Sequence, residues 1–414
     1  MRRIAPKLAL ALLLACVGAE LALQLWPGLL PRAYLERFPM HGVEFFHPDL
    51  LERTPVEGIP LPLVTAAHAG PPPADMIEMG VAPRDADFDA RAFPLLELPS
   101  DELGLPNPAT TERADLVLVG DSFGVALSVR EPRGLQAALE EATGLATYNV
   151  SVAGVGPVQE RWLVENVGLA KRPRAVLWFF FSGNDVTASY EPLLHRREGR
   201  ATWAEAYAER TKPALVLPDL IATGLRSRGA PRRSELLPGF SFALAGGDTQ
   251  PVWLHPDYLR QLGWSTAEWE AHPVWAAVQD ELRAANAACA ASGARLLLVY
   301  LPSKSEVLLP LVARDPALAL RTMTALGSPA PAGSPDEVYD ALLANRHALE
   351  RVVLAFCERE SIPFLSATPA LEAQAARGEL GYLVTDSHWS SVGQAALLEP
   401  LLAFLEAQEV IPAR

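Results

Sequence analysis

Short apolar runs alternate with longer amphipathic segments from residue 115 to the end of the chain. The apolar runs lack the polar alternation of a half-exposed strand, which is typical of strands buried on both faces of a sheet. The longer segments have the composition and period of helices. This alternation predicts a parallel sheet covered by helices on both faces, a doubly wound α/β sandwich. The predicted strands are DLVLVG from Asp115, ATYNVS from Ala146, AVLWFFFS from Ala175, RLLLVYLP from Arg295 and IPFLSA from Ile362.

The predicted helices carry their own boundary signals. The first, over residues 133–144, ends at Gly144, and glycine is common just past the end of a helix. The second begins at Pro157, because proline suits the first helical turn. Three more helices are predicted over residues 277–293, 336–360 and 391–408. Together these elements define a sheet domain over residues 114–410.

Residues 187–275 interrupt the alternation without a sustained period of their own, and we interpret them as a large insertion. The insertion holds several tryptophans. They either contact a substrate or form a small satellite core. These are Trp203, Trp253, Trp264, Trp269 and Trp275.

Residues 31–113 are rich in proline, with IPLPLV, AGPPPAD and LPNP, and they show no regular period. Such a segment is typical of a spacer or an extended arm rather than a separate domain. Its last part, FPLLELPSDELGLPNP over residues 93–108, is more hydrophobic. We expect that part to pack on the domain that follows.

Residues 1–30 indicate a membrane anchor. MRRIAPK is basic, and an apolar run from Leu8 to Trp26 follows, interrupted by Glu20 and Gln24. A basic flank before an apolar run of this length predicts an uncleaved signal anchor with the domain outside the cytoplasm, in the periplasm or at the cell surface. Two alternatives stay open: a lipoprotein attached at Cys16 through LLAC, and a buried soluble helix.

Charge and cysteine content exclude several classes of function. The formal net charge of −14 argues against a nucleic-acid binder, since no basic stripe is available to neutralise phosphates. Cys16, Cys289 and Cys357 are too few and too scattered for a disulfide framework. We expect the last two to be buried thiols, and a bridge between them stays open if the domain is exported. Outside the candidate site the histidines show no ligand-like pairing, so no metal site is expected.

Polar and glycine residues collect where the predicted strands end. Because ligands of open parallel sheets bind at the carboxyl ends of the strands, these residues are the candidates for chemistry. They are Gly120-Asp121-Ser122 after the first strand, NVSVAG up to Gly154 after the second, Ser182-Gly183-Asn184-Asp185 after the third, and TDSHWSS, with Asp386 and His388, before the last helix.

A serine nucleophile requires a base, a group that orients the base, and donors for the oxyanion. Ser122 is the candidate nucleophile and His388 the base. In an extended segment Asp386 lies on the same face as His388, with Cα atoms about 6.6 Å apart, close enough to orient the imidazole. The candidate oxyanion donors are the backbone N–H of Ser122, the backbone N–H of Gly154 and the side-chain amide of Asn184. We interpret the neighbouring Asp121 and Asp185 as structural.

These four blocks, VGDSFG, NVSVAG, SGNDV and DSHWS, resemble the SGNH or GDSL hydrolase superfamily, and they occur in that family's order. The resemblance covers most of residues 114–408, and PSDELGLPNP is similar to the lead-in of membrane-anchored bacterial members. It implies a flavodoxin-like sandwich and ester chemistry without metal or cofactor. It also implies Ser122 as nucleophile, Gly154 and Asn184 as oxyanion donors, and Asp386 with His388 as the rest of a triad.

One block departs from the hydrolase pattern. A single residue separates Asp386 from His388, where most family hydrolases have two, and Trp389 follows. This D-x-H-W form is similar to the alginate-acetylating branch of the AlgX and AlgJ type, which transfers acetyl groups to exopolysaccharides. In that branch the Asp-His pair precedes the serine, whereas here it follows. Hydrolysis and transfer therefore both stay open.

The sequence predicts a membrane-anchored extracytoplasmic serine esterase that removes O-acyl groups, with O-acetyl the expected case, from cell-envelope carbohydrate. The alternative enzyme is a polysaccharide O-acetyltransferase that uses the same triad. A third hypothesis is a catalytically idle fold that binds carbohydrate or assists assembly. GDSFG also fits the nucleophile elbow of α/β-hydrolases, but that fold needs several strands before the elbow, and only the proline-rich arm precedes Ser122.

Overall fold

The computed structural model describes residues 14–22, 67–68, 75–83, 96–97, 101, 103, 105–125, 134–188, 217–218, 221 and 236–412. The chain divides into two compact units. The larger comprises Leu51–Tyr190 with Ser234–Arg414, and the smaller comprises Met1–Leu50 with Glu191–Arg233.

The described part of the smaller unit includes a helical segment over residues 14–22. Within this unit, Glu20 accepts a hydrogen bond of 2.7 Å from the backbone N–H of Leu217. Among the described helices, none combines the length and apolar character needed to cross a membrane. The rest of the predicted anchor, residues 1–13 and 23–30, lies outside the described residues.

The described part of the larger unit contains the five predicted strands and four short strands that the sequence pattern does not predict. The described strands are β1 (Ala67–His68), β2 (Leu96–Glu97), β3 (Leu116–Val119), β4 (Thr147–Asn149), β5 (Ala175–Phe181), β6 (Phe240–Ala243), β7 (Thr249–Val252), β8 (Arg295–Leu301) and β9 (Phe364–Ser366). Five of them form a parallel sheet in the order β4-β3-β5-β8-β9. Counted along the chain this is 2-1-3-4-5, the flavodoxin-like order, so the predicted α/β architecture with a parallel sheet is confirmed.

Helices cover the sheet in two groups. The described helices are α1 (Asp75–Glu78), α2 (Gly134–Thr143), α3 (Pro157–Leu163), α4 (Asp185–Ala188), α5 (Pro256–Gln261), α6 (Thr266–Ala271), α7 (Pro273–Ala291), α8 (Lys304–Leu308), α9 (Pro316–Thr324), α10 (Pro335–Asn345), α11 (Ala348–Glu360), α12 (Thr368–Ala376) and α13 (Ser391–Ala407). Helix α2 packs against α13, which packs against α12, whereas α3 packs against α7. The strands between them are almost wholly buried, which explains their continuous apolar runs.

One of the predicted helices is divided into two helices in the structure. Residues 336–360 separate into α10 and α11 at Arg346 and His347. Both side chains turn toward Glu372 of α12, at 3.5 Å from Arg346 and 3.3 Å from His347. Tertiary contacts therefore override a continuous helical pattern at this point.

Residues 236–275 of the insertion belong to the larger unit. It forms the antiparallel β6–β7 hairpin and helices α5 and α6. Trp253, Trp269 and Trp275 are buried, which favours the core interpretation of these side chains, while Trp264 is half-buried. Trp203 lies outside the described residues.

The end of the proline-rich segment packs against β4. Asn107 accepts a hydrogen bond from the backbone N–H of Asn149 at 2.8 Å and donates to its carbonyl at 2.9 Å. Asp101 accepts the hydroxyl of Tyr148 at 2.6 Å. The side chains of Asp101 and Asn107 therefore satisfy polar groups of β4, an edge strand that would otherwise expose them.

Candidate active site

A tight turn presents Ser122 at the carboxyl end of β3. Asp121 accepts the backbone N–H of Phe123 on its carboxylate at 2.9 Å and that of Gly124 on its carbonyl at 3.1 Å. A Cβ at Gly124 would lie 2.3 Å from the Oγ of Ser151, so only glycine fits between the turn and the segment after β4. The motif residues on either side of Ser122 thus define the local geometry, and Ser122 itself stays half-buried.

The structure brings Ser122, His388 and Asp386 together. The Nε2 of His388 lies 2.7 Å from the Oγ of Ser122, and its Nδ1 lies 2.5 Å from the Oδ1 of Asp386. The sequence predicts an extended segment around Asp386, but the segment is bent. The pair forms because Asp386 Oδ1 also accepts the backbone N–H of His388 at 2.8 Å, which folds the two side chains onto each other.

The segment that ends at Gly154 runs beside the nucleophile turn. Val152 donates its N–H to the carbonyl of Gly120 at 3.1 Å, and Asn149 donates its side-chain amide to the carbonyl of Gly124 at 2.8 Å. Gly154 itself is exposed, with a φ of 80° that favours glycine. The structure therefore places Gly154 on the rim of the same edge as Ser122.

Asn184 lies in the turn between β5 and α4. Its side-chain amide faces the carboxyl group of Asp121, where it lowers the pKa of Asp121 against the larger effect of burial, which raises it. The next residue, Asp185, accepts the backbone N–H of Phe181 at 2.8 Å and so closes the turn. Asn184 is thus held beside the nucleophile turn, and both aspartates brace their loops.

Three carboxyl groups determine the protonation of His388. Burial of the ring lowers its pKa, but Asp386, Asp75 and Asp121 outweigh that effect and raise the pKa of His388 to about 9. In return, the charge and hydrogen bond of His388 hold the pKa of Asp386 below its usual range, although burial acts in the opposite direction. The site therefore stabilises an imidazolium paired with a carboxylate.

Sequence reasoning missed Lys304 and Asp75, which both hold the loop that carries Asp386 and His388. Lys304 follows β8, so the same strand-end rule that found the other residues contained a signal for it. Asp75 comes from the proline-rich segment, in PPPADMIEMG, where no motif or period marks it.

His255, just before α5, also belongs to this region. It is influenced electrostatically by Asp386 and His388, and burial lowers its pKa to about 4. Its Nδ1 accepts the backbone N–H of Asp257 at 3.2 Å, and its ring stacks on Tyr258 at 3.9 Å between centroids. The neutral ring therefore carries its proton on Nε2 and is an uncharged donor.

A cluster of buried acids lies behind the nucleophile turn. Asp121, Glu160 and Asp185 are each fully buried, and burial raises the pKa of all three. Asp121 further raises the pKa of Glu160, and both raise that of Asp185. Among the described residues no group of histidine, cysteine, aspartate and glutamate is arranged to hold a metal ion.

No protein-family model and no curated protein sequence matches the chain. Among solved structures, the chain is similar to TesA, at 14% identity over 70% of this chain and 98% of that one, with a TM-score of 0.32. It is similar to a phospholipase A1 from Streptomyces albidoflavus NA297, at 12% identity over 70% and 99%, TM-score 0.39. It is also similar to a variant of Axe2, an acetylxylan esterase from Geobacillus stearothermophilus, at 13% identity over 74% and 99%, TM-score 0.36. The sheet order and the site geometry of this chain, rather than these similarities, support the fold and the proposed chemistry.

Proposed function

We propose that the protein is a serine esterase of the SGNH type, with Ser122, His388 and Asp386 as its catalytic triad. The observation that carries the proposal is the continuous hydrogen-bonded chain from Ser122 Oγ through both ring nitrogens of His388 to Asp386. A weak nucleophile, a base within hydrogen-bond distance and a buried carboxylate that orients the base are the parts that acyl transfer requires.

In this mechanism His388 takes the proton of Ser122 as Oγ attacks the ester carbonyl. Asp386 keeps the Nδ1 of His388 protonated, so Nε2 is the nitrogen free to accept, and it stabilises the imidazolium that forms. The imidazolium then gives its proton to the departing alcohol, which leaves an acyl group on Ser122. A second nucleophile, deprotonated by the same ring, releases the acyl group and restores the serine.

The oxyanion of the tetrahedral intermediate needs donors on the opposite side of the carbonyl. We assign the backbone N–H groups of Ser122 and Gly154 and the amide of Asn184 to this task. The two backbone groups belong to segments packed directly against each other through Gly120 and Gly124. The two segments that carry the backbone donors are thus held together before substrate arrives.

The identity of the second nucleophile separates hydrolysis from transfer. Water gives an esterase, and a bound sugar hydroxyl gives an O-acetyltransferase. Transfer is favoured by the D-x-H-W block alone, in which Trp389 is buried and packs on Phe123 with ring centroids 5.6 Å apart. We place hydrolysis first because the Asp-His pair follows the serine along the chain, as in the family's hydrolases.

For the substrate we propose O-acylated carbohydrate of the cell envelope, with O-acetyl as the acyl group. This rests on the basic and apolar N-terminus, which favours a membrane-tethered protein whose larger unit lies outside the cytoplasm.

A fluorophosphonate probe tests the proposal, because it reacts with activated serines. We expect the full chain to label, Ser122→Ala and His388→Ala not to label, and Ser292→Ala, an exposed serine at the end of α7, to label like the wild type. Folding of each variant is checked by circular dichroism.

A folded wild type that neither labels nor cleaves p-nitrophenyl acetate faster than Ser122→Ala would contradict the esterase and favour the idle binding fold. If it labels, an acetyl donor offered with and without oligosaccharide separates the two enzymes. Acetate release indicates the esterase, and acetylated oligosaccharide indicates the transferase.

A further inference from the structure

The loop over residues 383–388, which carries Asp386 and His388, has no regular secondary structure. Its internal bonds are few: the N–H of Leu383 donates to the carbonyl of His388 at 2.9 Å. External groups must therefore hold it. Lys304 does so from one side, with its Nζ 2.6 Å, 2.8 Å and 3.2 Å from the carbonyls of Leu383, Val384 and Asp386.

Asp75 holds the same loop from the N-terminal side. Its backbone N–H donates to Oδ2 of Asp386 at 3.0 Å, and its own Oδ2 accepts both the hydroxyl of Ser387 at 2.5 Å and the N–H of Ser387 at 3.2 Å. The next N–H, that of Met76, donates to the carbonyl of Thr385 at 3.2 Å. Four hydrogen bonds thus join this short segment to three consecutive residues of the loop.

The contact with Asp386 is specific in its chemistry. Oδ1 of Asp386 is occupied by His388, so Oδ2 is the atom left to fix the carboxylate plane, and the Asp75 N–H binds there. A carboxylate held at both oxygens cannot rotate away from the imidazole. The N-terminal segment therefore supplies the hydrogen bond that completes the acid of the triad.

The side chain of Asp75 adds charge to the same place. The charged or titratable groups that act on it are Asp386 and His388 from the loop, and Lys304 from α8, while its own charge acts on Tyr258 of α5. Burial and then Asp386 raise the pKa of Asp75 to about 7, and His388 and Lys304 oppose this. Ionised Asp75 in turn favours the charged form of His388.

We propose that Asp75 is a positioning residue of the active site, which aligns Asp386 through its backbone and stabilises the imidazolium of His388 through its carboxylate. The proposal rests on the proposed function in so far as it concerns catalysis. The electrostatic coupling to His388 can be measured whether or not the protein is an esterase.

The test is the titration of His388 in Asp75→Asn, followed by NMR on the full chain with labelled histidine, with His388→Ala used to assign the signal. Asparagine keeps the backbone N–H and an acceptor for Ser387 but removes the charge. We expect the midpoint of His388 to fall by roughly one pH unit or more, as for the loss of one nearby opposite charge. The rising limb of the kcat/KM profile should move to lower pH by the same amount, because the free base is the active form.

Asp248→Asn, an exposed carboxylate in the β6–β7 turn, is the matched control and should leave both readouts unchanged. If Asp75→Asn proves unfolded, Ser387→Ala replaces it. Loss of the hydroxyl should raise the pKa of Asp75, so that Asp75 carries less negative charge. The midpoint of His388 should then fall, as it does in Asp75→Asn. A midpoint of His388 that does not move in the folded variant overturns the proposal. A midpoint that moves in a protein that never labels with fluorophosphonate overturns the esterase instead and leaves the coupling standing.

Discussion

At Gly154 the backbone adopts a φ of 80°, a region that costs an L-residue with a side chain about 1–2 kcal/mol. Gly144, at the end of α2, has the same need, with a φ of 68° and open space around it. Only Gly154 lies at the carboxyl edge of the sheet, where its N–H is assigned to the oxyanion. Comparing variants of the two glycines therefore distinguishes the backbone requirement, which both have, from the functional requirement, which only Gly154 has.

We expect Gly144→Ala and Gly154→Ala to lose similar stability, about 1–2 kcal/mol in urea unfolding, because both pay the same backbone cost. Gly154→Ala alone should lower kcat/KM for p-nitrophenyl acetate, by tenfold or more, since its methyl group stands where the ester must approach. Equal kcat/KM in the two variants would show that Gly154 shapes a turn and nothing else.

Residues that follow strands were predictable, because a parallel sheet gathers its carboxyl ends at one edge whatever the intervening sequence. Ser122, Gly154 and Asn184 were found in this way. Lys304 obeys the same rule, yet a lone lysine before a helix is ordinarily a solvated residue, and its burial depends on carbonyls some eighty positions away. Asp75 follows no strand, so its place at the site is a result of tertiary packing alone.

At the scale of elements, Lys304 of α8 connects that helix to the loop over residues 383–388. Its side chain is 1% exposed, and its ammonium meets three backbone carbonyls that lie in an irregular segment. Buried carbonyls left without donors are costly, and those in a loop have no helix or sheet to satisfy them. Lys304 therefore supplies the hydrogen-bond donors that a helix or a sheet would supply elsewhere.

Lys304→Met keeps the aliphatic stem and removes the donors. We expect a loss of roughly 3 kcal/mol in the free energy of unfolding, the cost of leaving the buried carbonyls of Leu383 and Asp386 unpaired. We also expect a fall in kcat with little change in KM, since the triad loses its support. Lys171→Met is the control, because Lys171 also donates to a carbonyl, that of Thr111, but far along the sheet from the site. A similar effect on kcat in both variants would contradict the assigned role of Lys304.

The elements themselves differ in how far local sequence determines them. The three central strands β3, β5 and β8 follow from continuous apolar runs, which few other structures tolerate. The β6–β7 hairpin was not foreseen, because FSFALAGGDTQPV has only a short alternation and a proline within its second strand. Its position comes from packing: just after β7, the backbone N–H of Trp253 donates to the carbonyl of Val384 at 3.2 Å.

At the scale of the whole molecule, the buried acids Asp121, Glu160 and Asp185 make stability depend on pH. Burial, followed by the charge of Asp121, raises the pKa of Glu160 well above its usual range. In the folded state Glu160 therefore keeps its proton at pH values at which the unfolded chain has released it. The stability that this group contributes is present below about pH 4.5, its unfolded pKa, and is lost as the pH rises through its folded pKa.

Glu160→Gln removes the ionisation and keeps the shape, so it should abolish part of this loss. We expect the free energy of unfolding of the variant, measured in urea between pH 5 and pH 8, to gain on that of the wild type as the pH rises, by up to about 1.4 kcal/mol per pH unit while the folded state holds the extra proton. Glu141→Gln, an exposed glutamate on α2, should run parallel to the wild type. Because Glu160 also influences Asp185, part of the gain reports relief of that neighbour. Parallel curves for Glu160→Gln and the wild type would mean that Glu160 binds no extra proton in the folded state, which would contradict the raised pKa assigned to it.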